Sequence, residues 1–427
     1  MKIKRILGLG VAVGLAASTL LGALPANANE KVITVWADET RGPALSKALG
    51  SLADQTEGEW ATGYKIKVVS YSSFDALKEA LDKATANTGP DVIIGANDWV
   101  ATGVKNGKVA PLTLPASVRR NYTTEALNDL SYQGKLYGIP ISMNNTAMLV
   151  NTKLTGGKKP ATFGEMVDFY KKNKTSKKLT AGLCVAGGGM SFGAIGVFNA
   201  LGGSPYVVDA KGVVSTTKDP INVTTMTNNV KRFLLESNGK SNGFFPASDT
   251  GCKDNFLAGK VPYAVIGNWE WKSYVDKGFS MNDLVSVPGV TRNTFGRSFA
   301  SVSGAMLTTF AETNGNATGA KSFLNNFFGS ATGVVLYARH EQRPPAHRGG
   351  AGAVSDGARA FARTGSQAGM PQIGAILDSA AGGQKYWDAL PAYWTAVLTE
   401  GKNVAAETRK LNTLLKKNVV EGAKSLR

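Results

Sequence analysis

Apolar and polar residues alternate over 31–36, and the run 65–71 repeats the pattern, as half-buried strands do. The polar turn ADETRG separates the first run from a helical segment predicted over 43–54. Phe74, Leu77, Leu81 and Ala84 recur at helical spacing behind Ser73, whose hydroxyl suits a helix N-terminus. Thr88-Gly89-Pro90 ends that helix, and 91–95 is almost wholly apolar, as a strand covered on both faces must be. Strand–helix alternation of this kind predicts an α/β domain, in which ligands gather beyond the carboxyl ends of the strands. Two polar–aromatic clusters fall at such ends: Trp36-Ala37-Asp38-Glu39-Thr40-Arg41 and Asn97-Asp98-Trp99.

From 132 to 151 the chain reads YQGKLYGIPISMNNTAMLVN. Gln133-Gly134 predicts a hairpin turn, and Gly138-Ile139-Pro140 a break in the second strand. Ser142, Asn144 and Asn145 then interrupt two apolar runs, the pattern of a hinge crossing between lobes. Thr162 and Glu165 form a capping box ahead of a helix that buries Met166, Phe169 and Tyr170. The glycine-rich 185–196 lacks the closing Gly-Lys-Ser/Thr of a phosphate loop and the dinucleotide spacing, so it predicts a loop leading into a helix over 194–201. A helix over 250–257 and a buried strand over 261–266 lead to Gly267, Trp269 and Trp271. Two tryptophans at a strand end either pack as core or grip a flat apolar partner such as a sugar face; both readings stay open. Beyond them lie a strand over 298–307 and helices over 320–328 and 329–337. A loose surface segment with helical pieces, rich in Arg, Gly, Ala and Pro, is expected over 339–369, and helices thereafter to 426.

Composition narrows the class. The chain has 427 residues, 43% hydrophobic and 19% charged, which fits folded domains with sizeable cores. Lys2, Lys4 and Arg5 precede an apolar run over 6–23 and the small-residue site Ala26-Asn27-Ala28, which predicts an export signal cleaved after Ala28; a retained membrane anchor is the alternative. No cysteine follows that run, so a lipid anchor lacks its attachment residue. The net charge is +17, and loss of the three positive charges in residues 1–28 leaves +14. That charge suits either an anionic surface or a merely solvated basic face. The lysines Lys153, Lys158, Lys159, Lys171, Lys172, Lys174, Lys177 and Lys178 have no interleaved aromatic array for stacking bases, so no nucleic acid is expected. Cys184 and Cys252, the two cysteines, form either a disulfide in an oxidising compartment or two buried thiols. A disulfide there would contribute on the order of 4 kcal/mol by the chain-entropy model. The histidines, His340 and His347, both fall in the loose segment, which argues against a histidine-centred catalytic or metal site.

The ordered set VWADETRGPAL, GPDVIIGANDW, YQGKLYGIPIS, FLAGKVPYAVIGNWEW, RPPA at 343–346, and MPQI followed by YWDAL resembles the extracellular solute-binding proteins of carbohydrate ABC importers, of the maltose/maltodextrin-binding type. The resemblance covers nearly the whole chain after the export signal. It implies a two-lobed periplasmic-binding-protein-like α/β fold, each lobe a mixed sheet flanked by helices, joined by a hinge. The amino-terminal lobe would comprise 29–142 plus 296–338, and the carboxyl-terminal lobe 143–295 plus 339–427. By the same match Asp38, Glu39 and Arg41 occupy the polar loop after the first strand, and Asp98 the place of a carboxylate accepting sugar hydroxyls. Asn144 lies at a polar hinge contact, Trp269 at the cleft tryptophan, and Trp387 at the carboxyl-terminal aromatic. Phe192 is loosely aligned with an aromatic of the glycine-rich loop, and Trp99 stands where some members carry arginine.

The resemblance implies a monomeric binding protein that delivers a neutral oligosaccharide to ABC permease subunits backed by a cytoplasmic ATPase. Malto-oligosaccharides are the first expectation, with trehalose and other linkages behind, and no cofactor or metal is expected. Stacking rings and planar acceptors are what such a ligand needs. Rival readings are a binding protein for a small anionic ligand, a surface adhesin of the same fold, and a glycoside hydrolase using carboxylates such as Asp38 and Asp98.

Overall fold

The computed structural model describes residues 31–50, 60–209 and 213–426; the expected export signal, with its cleavage site, lies outside them. Thirteen strands occur among these residues. In chain order they are β1 (Lys31–Ala37), β2 (Tyr64–Ser70), β3 (Val92–Ala96), β4 (Ser131–Tyr132), β5 (Lys135–Leu136), β6 (Gly138–Asn144) and β7 (Thr146–Val150). Then follow β8 (Leu183–Val185), β9 (Tyr263–Gly267), β10 (Leu284–Val285), β11 (Ser298–Phe299), β12 (Ser301–Leu307) and β13 (Gly369–Met370). A five-stranded sheet runs β2-β1-β3-β12-β6, and a four-stranded sheet runs β10-β7-β9-β8. Both are mixed: β1 is parallel to β2 and β3, whereas β12 is antiparallel to β3 and β6; β8 is parallel to β9, whereas β7 is antiparallel to β9 and β10.

The apolar runs account for these positions. All five residues of β3 and of β9 are buried, as strands covered on both faces require. Ser73 caps the helix Phe74–Lys83 by accepting the Ala76 N–H at 3.0 Å, and Leu77 and Leu81 face inward. Thr162 accepts the Glu165 N–H at 3.2 Å, while the Glu165 carboxylate reaches back to the Ala161 N–H at 2.8 Å. Gln133 (φ 49°) and Gly134 (φ 74°) supply the left-handed pair of the β4–β5 hairpin.

Buried apolar side chains of 33–141 and 302–337 build one core, and those of 147–299 and 360–419 build the others, so the fold has two lobes. Between β6 and β7 the chain passes from one sheet to the other through one residue, Asn145. It passes back through Ala300, between β11 and β12, and a third time after the helix Ala331–Glu341.

Two expectations need correction. Pro140 does not break a strand. It lies within β6, an edge strand, opposite Gly304 where the register of β12 shifts, so its missing N–H removes no ladder bond the sheet needs. Nor is 339–369 loose. Arg343–Ala346 runs along the outer edge of β6, with Met143 N–H donating to the Pro344 carbonyl at 2.7 Å and Ala346 N–H to the Ile141 carbonyl at 3.1 Å. Asp356–Ala368 is a thirteen-residue helix that buries Gly357, Ala358, Ala360, Phe361, Thr364 and Ala368. Its small residues serve close packing: a side chain at Gly357 would collide with the Trp271 indole.

Candidate functional site

The loop after β1 carries Asp38, Glu39 and Arg41, and the helix Arg41–Gly50 begins within it. Asp38 Oδ1 accepts the backbone N–H groups of Thr40 (2.9 Å) and Arg41 (2.8 Å) and the Thr40 hydroxyl (2.8 Å), while Oδ2 pairs with the Arg41 guanidinium. Arg41 Nη2 donates to Asn144 Oδ1 at 3.2 Å and to Ser303 Oγ, and Asn144 Nδ2 donates to the same hydroxyl at 2.7 Å. Arg41 Nε lies 3.5 Å from Glu341, which also accepts from Ser142 Oγ (2.8 Å) and Arg343 Nη1 (3.1 Å). All these charged groups are buried, Asp38 to 1% and Arg41 to 4% exposure. Burial opposes ionisation of Asp38, but Arg41, Arg343 and the donated hydrogen bonds more than offset it, so its carboxyl sits well below the usual range. The cluster draws on all three crossings: Asn144 from the first, Ser303 beyond the second, Glu341 and Arg343 from the third. Only Glu39 of the loop is exposed.

A second polar group lies across the first crossing. Asn145 Nδ2 donates to the Phe361 carbonyl and the Thr364 hydroxyl, both at 3.1 Å, and Asn268 Nδ2 donates to the Met143 carbonyl at 2.8 Å. Next to Asn268, the two tryptophans of the strand end divide. Trp271 is buried, its Nε1 donating to the Gln342 carbonyl at 3.0 Å. Trp269 is half-buried, its indole lying over Gly267, where any side chain would collide with the ring. Phe192, carried by the turn Gly189–Gly193, meets Trp269 with ring centroids 5.9 Å apart and Phe299 at 5.6 Å. Phe299, fully buried, is 5.9 Å from Trp387 and 5.8 Å from Tyr386. Trp269, Phe192 and Trp387 therefore form one half-exposed aromatic row with Phe299 behind it.

At its far end the row meets the first lobe. Trp387 Nε1 donates to Asp378 Oδ1 at 2.9 Å, and Asp378 Oδ2 accepts the Thr102 hydroxyl at 3.0 Å. Asn97 Nδ2 donates to the Gln372 carbonyl at 2.8 Å, and Gly374 packs on the Asp98 backbone so closely that a side chain there would clash. A cavity of about 400 Å³ opens along this seam, lined by Asn97, Asp98, Asp129, Ser131, Tyr132, Gln372 and neighbours. Burial, with Asp378 facing it, pushes the Asp98 carboxyl up to about 7. Trp99 turns away from the seam into the first core, 4.6 Å from Phe74, with Lys78 over its ring.

Cys184 in β8 and Cys252, at the start of the helix Cys252–Leu257, are joined in a disulfide with Cα atoms 5.7 Å apart. Among the described residues no cluster of three or more His, Cys, Asp or Glu is placed to hold a metal ion. No helix among them is long and apolar enough to cross a membrane.

Phe299, Asp378, Asp129 and Glu341 were not singled out by sequence, and Arg343 and Gln372 only as letters of RPPA and MPQI. An isolated phenylalanine or carboxylate carries no local mark; its role arises from partners far along the chain.

Residues 52–349 match the profile of the bacterial extracellular solute-binding protein family. The chain belongs to this family. It is 23% identical over 314 residues to the galactooligosaccharide-binding protein of Bacillus subtilis (strain 168), covering 70% of each chain. It is 25% identical over 207 residues to the maltotriose-binding protein of Pyrococcus abyssi (strain GE5 / Orsay), covering 48% of this chain and 42% of that one. The fold is similar to that of the Thermus thermophilus maltotriose binding protein bound with maltotriose, with a TM-score of 0.68 and 19% identity over 90% of this chain and 99% of that one. The solute-binding assignment makes the space between the lobes, with the aromatic row on one side and the Asp98 seam beside it, the place to look for a ligand.

Proposed function

We propose that this solute-binding protein captures an oligosaccharide between its lobes and delivers it to the permease subunits of an ABC importer. The observation that carries the reading is the continuity of the aromatic row, Trp269–Phe192–Phe299–Trp387, with the acceptors Asp378 and Asp98 of the seam. Rings of this kind stack on the C–H faces of sugars, and carboxyl oxygens accept from hydroxyls. Trp269, Phe192 and Trp387 supply contact area; Asp98, with the exposed Glu39 at the lip, supplies polar selection. Asn144, Asp38 and Arg41 act from behind, as a buried support, and Trp99 as packing beneath Asp98.

In this reading the lobes divide at the crossings, with the described residues of 31–144 and 301–341 in one and those of 146–299 and 356–426 in the other. A ligand touching both binds the closed arrangement better than the open one and so shifts the population toward it. Malto-oligosaccharides and galacto-oligosaccharides, named for the relatives, are the ligands to try first. The test is tryptophan fluorescence and thermal shift over a panel of neutral oligosaccharides and small anions. Stabilisation by one oligosaccharide class supports the reading; stabilisation by anions alone, or shortening of the sugars during incubation, overturns it.

A further inference from the structure

The seam cavity combines four features that a neutral sugar alone does not call for. Two carboxyl groups, Asp98 and Asp129, line it, and a third, Asp378, is near enough to act electrostatically on Asp98. Asn97 Oδ1, Asp98 Oδ1 and Gln372 Oε1 are buried without a hydrogen-bond partner, on residues that are 5%, 8% and 4% exposed. All three line the same cavity. Two donors of the lining are already engaged: Asn97 Nδ2 by the Gln372 carbonyl and Ser131 Oγ by the Leu127 carbonyl at 2.8 Å. Finally, among the described residues no lysine or arginine lines the cavity, although the chain carries a net charge of +17. The cation acting on Asp98, Lys78, is itself bound to Asp82 at 2.6 Å and lies over the Trp99 ring.

A hydroxyl brings one donor and no charge to these three unpartnered oxygens. An ammonium group donates three hydrogen bonds, accepts none and carries a positive charge that favours the ionised form of the facing carboxyls. The cavity volume falls within the range of small-molecule sites. A bare metal ion is a poorer occupant, because the carboxyls are not grouped to hold one.

We propose that the seam cavity binds an ammonium group, brought either by an amino-sugar unit or by a free small amine. Since Asp98 and Asp129 belong to the first lobe and Gln372 to the second, such a group would hold the lobes together at this point. The inference concerns the cavity and stands apart from the sugar-stacking role of the aromatic row.

The experiment compares, by calorimetry at pH 7, a β-1,4-linked glucosamine trimer, its fully N-acetylated neutral form, and putrescine. Each is titrated into the intact protein and into the Asp129→Asn variant, with Asp98→Asn as a second variant. The expected result is that the free-amine trimer binds at least tenfold more tightly than the acetylated trimer, and that the ratio falls toward one in Asp129→Asn. Putrescine binding that is lost in the same variant also supports the proposal, and makes a free amine the source. Equal affinity for the two trimers with no putrescine binding overturns it, as does a preference that survives both substitutions. Binding of maltotriose with no amine preference would sink this inference and leave the oligosaccharide reading standing.

Discussion

The two sides of the interlobe space are built by different chemistry. On the first lobe, Asp38, Arg41, Asn144, Glu341 and Arg343 form a closed ionic cluster whose members are almost wholly buried. On the second, Trp269, Phe192 and Trp387 stand half-exposed in a row, with the polar indole edge of Trp387 fixed by Asp378. The first arrangement fixes the crossing segments, because buried charges tolerate little displacement of their partners. The second leaves apolar faces toward the gap, where they add affinity without directional demands. A charged motif close to a presumed site is thus not necessarily what touches the ligand.

Substitutions can break this contrast. The largest effect is expected from Arg41→Ala, which takes from the buried Asp38 carboxylate its ion-pair partner. It should cost about 3–5 kcal/mol of stability in a denaturant titration, and a loss below about 1 kcal/mol would mean the cluster does not brace the crossings. Opening the Cys184–Cys252 link, which ties β8 to the helix before β9, should cost about 2–4 kcal/mol, read as a lower melting temperature under reducing conditions. Trp269→Ala should leave melting nearly unchanged yet weaken the best oligosaccharide at least tenfold, about 1.4 kcal/mol, by fluorescence titration. If Arg41→Ala proved the mutant with the binding defect and Trp269→Ala the unstable one, the two sides would have to exchange roles.

The last expectation is a pH slope. Asp98 is pushed up to about 7 by burial and by Asp378, and Asp129 to about 7 by burial and by Glu125. The folded protein therefore holds these protons more tightly than the unfolded chain, so stability falls as pH rises from about 4 to about 7 and then levels. Asp38, shifted the opposite way, contributes stability that is lost only as pH falls below about 4. Asp129→Asn should flatten part of the pH 4–7 decline in melting temperature; an unaltered slope would show that its carboxyl is not held protonated.

Local patterns carried much of this fold. The periodicity of 74–84, the Gln133-Gly134 turn and the polar break at Ser142–Asn145 each depend on neighbours a few residues away, and each corresponds to a described element. The division of labour between Trp269 and Trp271 does not: it follows from Gly357 and the Gln342 carbonyl, which accommodate one ring, and Phe192, which meets the other. Arg41 looks like a donor for a ligand until Glu341, three hundred positions later in the chain, comes within 3.5 Å of its Nε. The burial of the helix Asp356–Ala368 was hidden for another reason. Helical pieces are expected there, but its glycines and alanines carry little apolar signal of burial, although close contact with the Trp271 ring demands such small residues.

The pairing of Arg343–Ala346 alongside β6 has a mechanical consequence. Two of the three connecting strips are stitched edge to edge, and a stitched pair resists shear and twist far better than bending. Opening of the molecule should thus follow the swing of a door on a long plate rather than the wobble of a ball in a socket. Each closure would bring the same ring back to the same face of the guest.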